Sequence, residues 1–286
     1  SGIAGGNVTI SSAVRDPGSG NTTGHIVIGG DIISSGGTVS SSGAGKDAGD
    51  ISIEARNAGT LTIKTGADLT AKGSDGNTSG AGGAGGTVTL NTAATTLSLE
   101  DTKIDTAGGA GAGAAAGSGG NITISDPLTI GDNSTGEVEL TTGSSGAGNI
   151  TTGTIDGGTS ISFTSGTGTI STGILGGGTA LTGLTYNGPQ TLSSNITVDG
   201  NLSITGASTL SANVTIDTNT GSTDGSVTLG TVDGNYTLTI DSGQGDVSVG
   251  VIGGETALSG LTINSADGAS NDGDITLAGI GDGNPT

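Results

Sequence analysis

The apolar residues of this chain fall in very short runs with a spacing of two, and that pattern restricts the fold more than any other feature. The runs read "NVTI" (7–10), "HIVI" (25–28), "DISIEA" (50–55), "TVTL" (87–90), "NITI" (121–124), "SISF" (160–163), "NVTI" (213–216), "DVSV" (246–249) and "DITL" (274–277). Each predicts a strand of three to five residues, with β-branched residues pointing one way and Thr, Ser or Asn the other. No window carries the i, i+3, i+4 spacing of a helix. The Ala-rich segment "AGGAGAGAAAGSGG" (107–120) contains seven glycines and reads as a loop.

Strands this short gain little alone, and the chain repeats itself. Residues 168–188 ("GTISTGILGGGTALTGLTYNG") and 245–265 ("GDVSVGVIGGETALSGLTINS") share twelve positions at an offset of 77. Segments 148–159 and 225–237 recur at the same offset, and "NITISDPLTIG" (121–131) resembles "NITVDGNLSITG" (195–206). Within each block a finer step of 20 runs from Gly148 to Gly168 and from Gly225 to Gly245. Toward the N-terminus, strand triplets ("ISI", "LTI", "LTA" at 51–71; "VTL", "LSL", "IDT" at 88–106) recur at steps of about 34 to 43 residues, separated by glycine-rich excursions at 35–49, 73–86 and 107–120.

Leu, Ile, Val and Phe together make up 58 of 286 residues, about one in five. Burying each contributes roughly 1.5–3 kcal/mol, while ordering each residue costs roughly 1–2 kcal/mol. A lone winding is therefore unstable, and only windings stacked on one another can offset the deficit. The expected fold is all-β: a right-handed parallel β-helix, or β-solenoid, with rungs of about 20 residues and Gly-rich loop excursions in the N-terminal part. Residues 1–120 are expected to form the looped stretch and 121–286 a regular stretch with 77-residue repeats of about four rungs each. The two would make one continuous solenoid, a segment of a larger protein.

The recurring openings "GGNVTI" (5–10), "GGTVTL" (85–90) and "GGNITI" (119–124), with rungs near 20 residues, resemble those of filamentous-haemagglutinin-like and related giant bacterial β-repeat surface adhesins. That resemblance implies export to the cell surface and a role as a stalk, fibre or adhesive rod. The Asn-Pro-Asn motifs of that family's N-terminal secretion domain are not visible in this sequence.

Charge and composition narrow the function further. The net charge is −20, and all six Lys and Arg lie at or before Lys103. Nucleic acid needs clustered cations, so it is not expected as a partner; no apolar run is long enough to insert in a membrane. There is no Cys, so disulfides and thiolate metal sites are absent. The expected partners are further copies, end-to-end or lateral in fibres, and surface glycans.

Few residues invite chemistry. His25 is the only histidine, and a lone His before "IVI" reads as an outward strand residue rather than a general base. Carbohydrate-active β-helices pair carboxylates beside aromatic platforms. This chain has no Trp and, after Lys103, no basic residue, so an enzyme is not expected, and a carbohydrate-active or glycan-binding β-helix is the alternative. Two loops, "DTNTGSTDG" (217–225) and "DGASNDGD" (267–274), alternate carboxylates with small residues. In the first, Asp217, Asn219 and Asp224 could supply oxygens to Ca²⁺, although neither loop matches a known calcium repeat. Ten Asn-x-Ser/Thr sequons, among them those at Asn121, Asn195 and Asn213, arise from an Asn- and Thr-rich strand code. Tyr186 fills the slot of Ile263 one block later and reads as a packing residue.

Overall fold

The computed structural model describes residues 2–12, 24–56, 59–92, 97–131, 136–144, 146–221, 224–266, 268 and 272–281. Among them every paired strand is parallel to its neighbours and there is no helix. Three ladders run the length of the molecule, one per face of a three-sided solenoid. The first stacks Val8, Ile51, Val88, Ile122, Ile150, Ile170, Gln190, Ser208, Val232 and Ile252. The second begins Ile26, Leu61, Leu97, Leu128, Ile155 and continues through single bridges at Leu175 to Ile196 and Ile216. The third runs from Ile32 through Leu69, Ile104, Leu140, Phe163, Tyr186, Ile204, Leu229 and Val249 to Leu277.

The described residues therefore wind ten coils, and the winding lengths follow the sequence pattern. Measured along the first ladder, Val8 to Ile51 to Val88 to Ile122 gives 43, 37 and 34 residues. The coil from Ile122 to Ile150 takes 28, the next five take between 18 and 24, and the one from Ile252 to Ile280 takes 28. Ile, Leu and Val of alternate strand positions point inward and lose nearly all solvent contact, while the intervening Thr and Ser face out. On the first face the outward column is hydroxylic for eight coils: Thr9, Ser52, Thr89, Thr123, Thr151, Ser171, Thr191 and Thr209.

The 77-residue block does not hold four coils. Ile150 lies on the first face, whereas its counterpart Val227 stacks on Leu202 of the third. Likewise Leu184 is on the third face and Leu261, its counterpart, on the second. One block is eleven strand positions, not twelve, so each repeat starts one face earlier than the last. The three faces demand the same strand code, so a strand sequence is at home on any of them. The shift also moves the corner that bears loops. A buried hydroxyl after the strand binds the carbonyl of the glycine that opens the next strand: Thr142 to Gly148 and Ser165 to Gly168 between faces three and one, then Thr218 to Gly225 and Ser242 to Gly245 between faces two and three.

The glycine-rich excursions of the first three coils also stack. Their two legs bond to each other (Gly49 N–H to Ser34, Gly83 to Ser74, Gly117 to Gly109) and to the next coil (Gly45 N–H to Ala81, Gly82 to Ala115, Gly85 to Ser118). The legs lie so close that a Cβ at Gly82 would stand 1.8 Å from the carbonyl oxygen of Gly109, and one at Gly117 1.8 Å from that of Gly83. Glycine is required there by backbone contact. Three ion pairs tie these coils upward: Lys64 to Glu100 at 2.7 Å, Lys72 to Asp105 at 3.4 Å and Lys103 to Glu139 at 2.5 Å. The bond to Glu139 raises the Lys103 pKa. Phe163 and Tyr186 stack in the core with ring centres 4.9 Å apart, which gives Tyr186 the packing role expected of it. Its hydroxyl meets Thr172 Oγ1 at 3.0 Å, and burial raises its pKa strongly.

Replacing Gly82 by Ala is expected to destabilise the loop stack by roughly 1–3 kcal/mol through backbone displacement. Ala at the open position Gly29, where a Cβ meets nothing, should be near neutral. Equal denaturation midpoints for the two variants would contradict the close-packed legs.

Candidate functional site

The polar residues that recur in the sequence are spent on one device. Immediately before a strand, an Asn or Asp side-chain oxygen accepts the backbone N–H of the equivalent residue in the next coil. On the first face Asn7 receives Asp50 at 2.9 Å, Asp50 receives Thr87 at 2.8 Å, Asn121 receives Asn149 at 2.8 Å and Asn149 receives Thr169 at 2.9 Å. The other faces repeat it: Asp31 with Asp68, Asp68 with Lys103, Asn195 with Thr215, Asn201 with Ser226, Asn213 with Thr237 and Asp246 with Asp274. A short side-chain acceptor fits because the inter-coil rise is about 4.8 Å, the reach of one Asx side chain to the next backbone amide. The sequon asparagines Asn121, Asn195 and Asn213 are thus ladder residues, exposed but with Oδ1 engaged.

The repeated segment of the two blocks contains a stronger version. Asp156 Oδ1 accepts the N–H groups of Gly178 and Thr179 at 2.6 and 3.3 Å, and Asp233 Oδ1 accepts those of Glu255 and Thr256 at 2.7 and 3.0 Å. The two aspartates are 77 residues apart, as are the loops they hold. This is why "GGGTALTG" and "GGETALSG" persist: the loop must present two adjacent amides to a carboxylate of the coil below.

His25 occupies the same position on the second face. Its Nδ1 accepts the Thr60 N–H at 3.1 Å and lies 2.8 Å from Thr60 Oγ1. The imidazole therefore takes the place of an Asn or Asp side chain in the ladder.

The proposed calcium ligands lie at the corner between faces two and three. Asp217 ends the strand Val214–Asp217 in register with Asp241 of the next coil. Its Oδ1 accepts the Asn219 N–H at 3.0 Å. Asn219 and Asp224 converge over Gly243, where a Cβ would be 2.3 Å from Asp224 Oδ2 and 2.9 Å from Asn219 Cγ. Asp224 Oδ2 accepts the Gln244 N–H at 2.7 Å, and Asn219 Nδ2 reaches Asp241 Oδ1 at 3.4 Å. Asp241, which also receives Asn264 Nδ2 at 3.1 Å, was not marked by the sequence; its position two residues before Gly243, matching Asp217 before Asn219, was the available signal. Among the described residues no three His, Cys, Asp or Glu side chains are grouped to hold a metal ion. In the loop 267–274, residues 267 and 269–271 lie outside the described residues.

Compared with known proteins, the chain matches no family model, no curated protein and no solved structure.

Asp233→Ala removes the acceptor of two amides and is expected to cost about 1–3 kcal/mol, with faster hydrogen exchange at Glu255 and Thr256, whereas Asp233→Asn keeps an oxygen in place and should cost less. Identical exchange in both variants would contradict the clip. The corner of Asp217, Asn219 and Asp224 has an oxygen committed to a backbone amide at each aspartate, so its melting is expected to be the same in millimolar calcium and in chelator. A calcium-dependent rise abolished by Asp224→Asn would instead establish an ion there.

Proposed function

We propose that this chain is a stiff rod segment of an extracellular filament or cell-surface adhesin, and that its work is mechanical. The observation that carries this reading is the continuity of three inter-coil ladders over ten coils, with the polar side chains committed to linking coils. Ten coils at about 4.8 Å each give a rod roughly 50 Å long. A rod of this kind resists bending because each coil meets the next through backbone bonds on three sides at once. Its acidity favours solubility of the rod. Copies associate end-to-end through strand edges or side by side in fibres, and surface glycans are the natural target of an adhesive rod.

Immunogold labelling of intact producing cells tests the assignment. Label on surface filaments is the expected result, and label confined to the cytoplasm would overturn it. The alternative, a carbohydrate-active β-helix, predicts release of reducing ends from glycan polymers by the purified chain; the rod reading predicts none.

A further inference from the structure

Coils one to five and seven to nine are each joined to the next coil by an Asn or Asp side chain that accepts a backbone amide across the seam. Among the described residues no such clip joins coil six, which begins at Ile170, to coil seven, which begins at Gln190. We infer that the rod carries a hinge at this seam, with the third face as its spine and the first and second faces as the sides that open.

The clip is missing on all three faces, for a different reason on each. On the first face the position before the strand is Thr169, and the residue stacked on it is Pro189, which has no N–H to give. On the second face that position is Ile174, which is exposed beneath Asn195 and carries no acceptor. On the third it is Gly183, beneath Asn201, with no side chain at all.

The core is mismatched at the same seam. The first inward column is aliphatic from Ile51 to Ile170 and again at Val232 and Ile252, and Gln190 and Ser208 interrupt it. Gln190 is 2% exposed; its Nε2 donates to Ser208 Oγ, and its Oε1 has no partner. Across the seam Ile170 therefore faces an amide, and by the same register buried Thr172 faces Leu192. A buried carbonyl oxygen without a donor is destabilising, and water satisfies it once the seam parts. That difference between closed and open states is what a two-state element requires.

The three faces hold unequally. On the second, the seam is crossed by two single bridges, Leu175 to Ile196 and Leu181 to Val198, in place of a paired strand. On the first, two residue pairs meet, and Ser193 Oγ reaches Thr172 O at 3.4 Å. The third keeps three pairs, Leu184 to Tyr186 on Leu202 to Ile204. Thr205 Oγ1 there lies 3.2 Å from both Tyr186 O and Asn187 Oδ1, and Tyr186 is anchored below on Phe163. A rod so built bends at one place and stays straight on either side.

Hydrogen exchange followed by NMR on the intact chain tests this. On the opening faces the seam is crossed by the amides of Ile170, Leu175 and Thr197, which donate to Pro189, Asn195 and Leu175. Their protection is expected to be about tenfold lower than that of Ile150 and Gln190, which cross the seams on either side, the scale of one missing hydrogen bond. Leu184 and Thr205, on the spine, should be protected as Ile150 is. Thr169→Asn combined with Pro189→Thr copies the clip of Asn149 and Thr169 onto the seam, and should raise protection at Ile170 about fivefold. Thr169→Asn alone, opposite a residue without an N–H, should change nothing. Equal protection at the three seams would overturn the hinge. So would low protection at Leu184 and Thr205 as well, or a double variant that exchanges as the single one does.

Discussion

The structure depends on one contact, the parallel stacking of each coil on the last. A strand of two to six residues has too few apolar side chains to pay for its own ordering. Stacked, it completes its backbone bonds on both edges and aligns Ile on Ile and Leu on Leu in columns without solvent contact. The Asx clip follows from the same spacing: one coil's rise brings the next backbone amide within reach of a short side chain. Asn and Asp before the strands supply most of these acceptors, and His25 supplies one.

Glycine contributes through the same contact in a different geometry. At the loops, coil meets coil through bare backbone, and a side-chain carbon at Gly80 or Gly117 would stand 1.8 Å from a carbonyl oxygen. At the corners, a hydroxyl of the preceding residue closes the turn onto a glycine carbonyl. Abundant Gly, Ser, Thr and Asn look like disorder when counted as composition, and are ordered here because each meets its equivalent in the neighbouring coil.

Much of the fold was legible in the sequence. The strand triplets at 51–71 and 88–106 fall on strands that stack in register, and the solenoid architecture follows from spacing-two runs and repeats. The phase of the 77-residue block was not legible. Twelve identities between 168–188 and 245–265 say that two segments have equal neighbours, and a solenoid with three equivalent faces offers equal neighbours on any face. The pairings of Val227 with Leu202 and of Leu261 with Leu238 reveal the displacement. The proposed ligands were legible as an acidic corner, but the role of their oxygens was not, because Asp217 and Asp224 serve backbone amides, one of them in the next coil. His25 as a ladder acceptor was hidden for the same reason: its partner Thr60 lies 35 residues away.

Paired cysteines test the stacking and its phase together, in a chain that has none of its own. Adjacent coils place equivalent Cα atoms at about 4.8 Å, within the window for a disulfide. Ser203 stacks on Thr228, whereas Thr209 stacks on Asp233 and sits on another face. Oxidation of Ser203→Cys/Thr228→Cys should close the bond rapidly, and Thr209→Cys/Thr228→Cys should stay reduced. Closure of the second pair and not the first would mean four full coils per block and would contradict the winding described here.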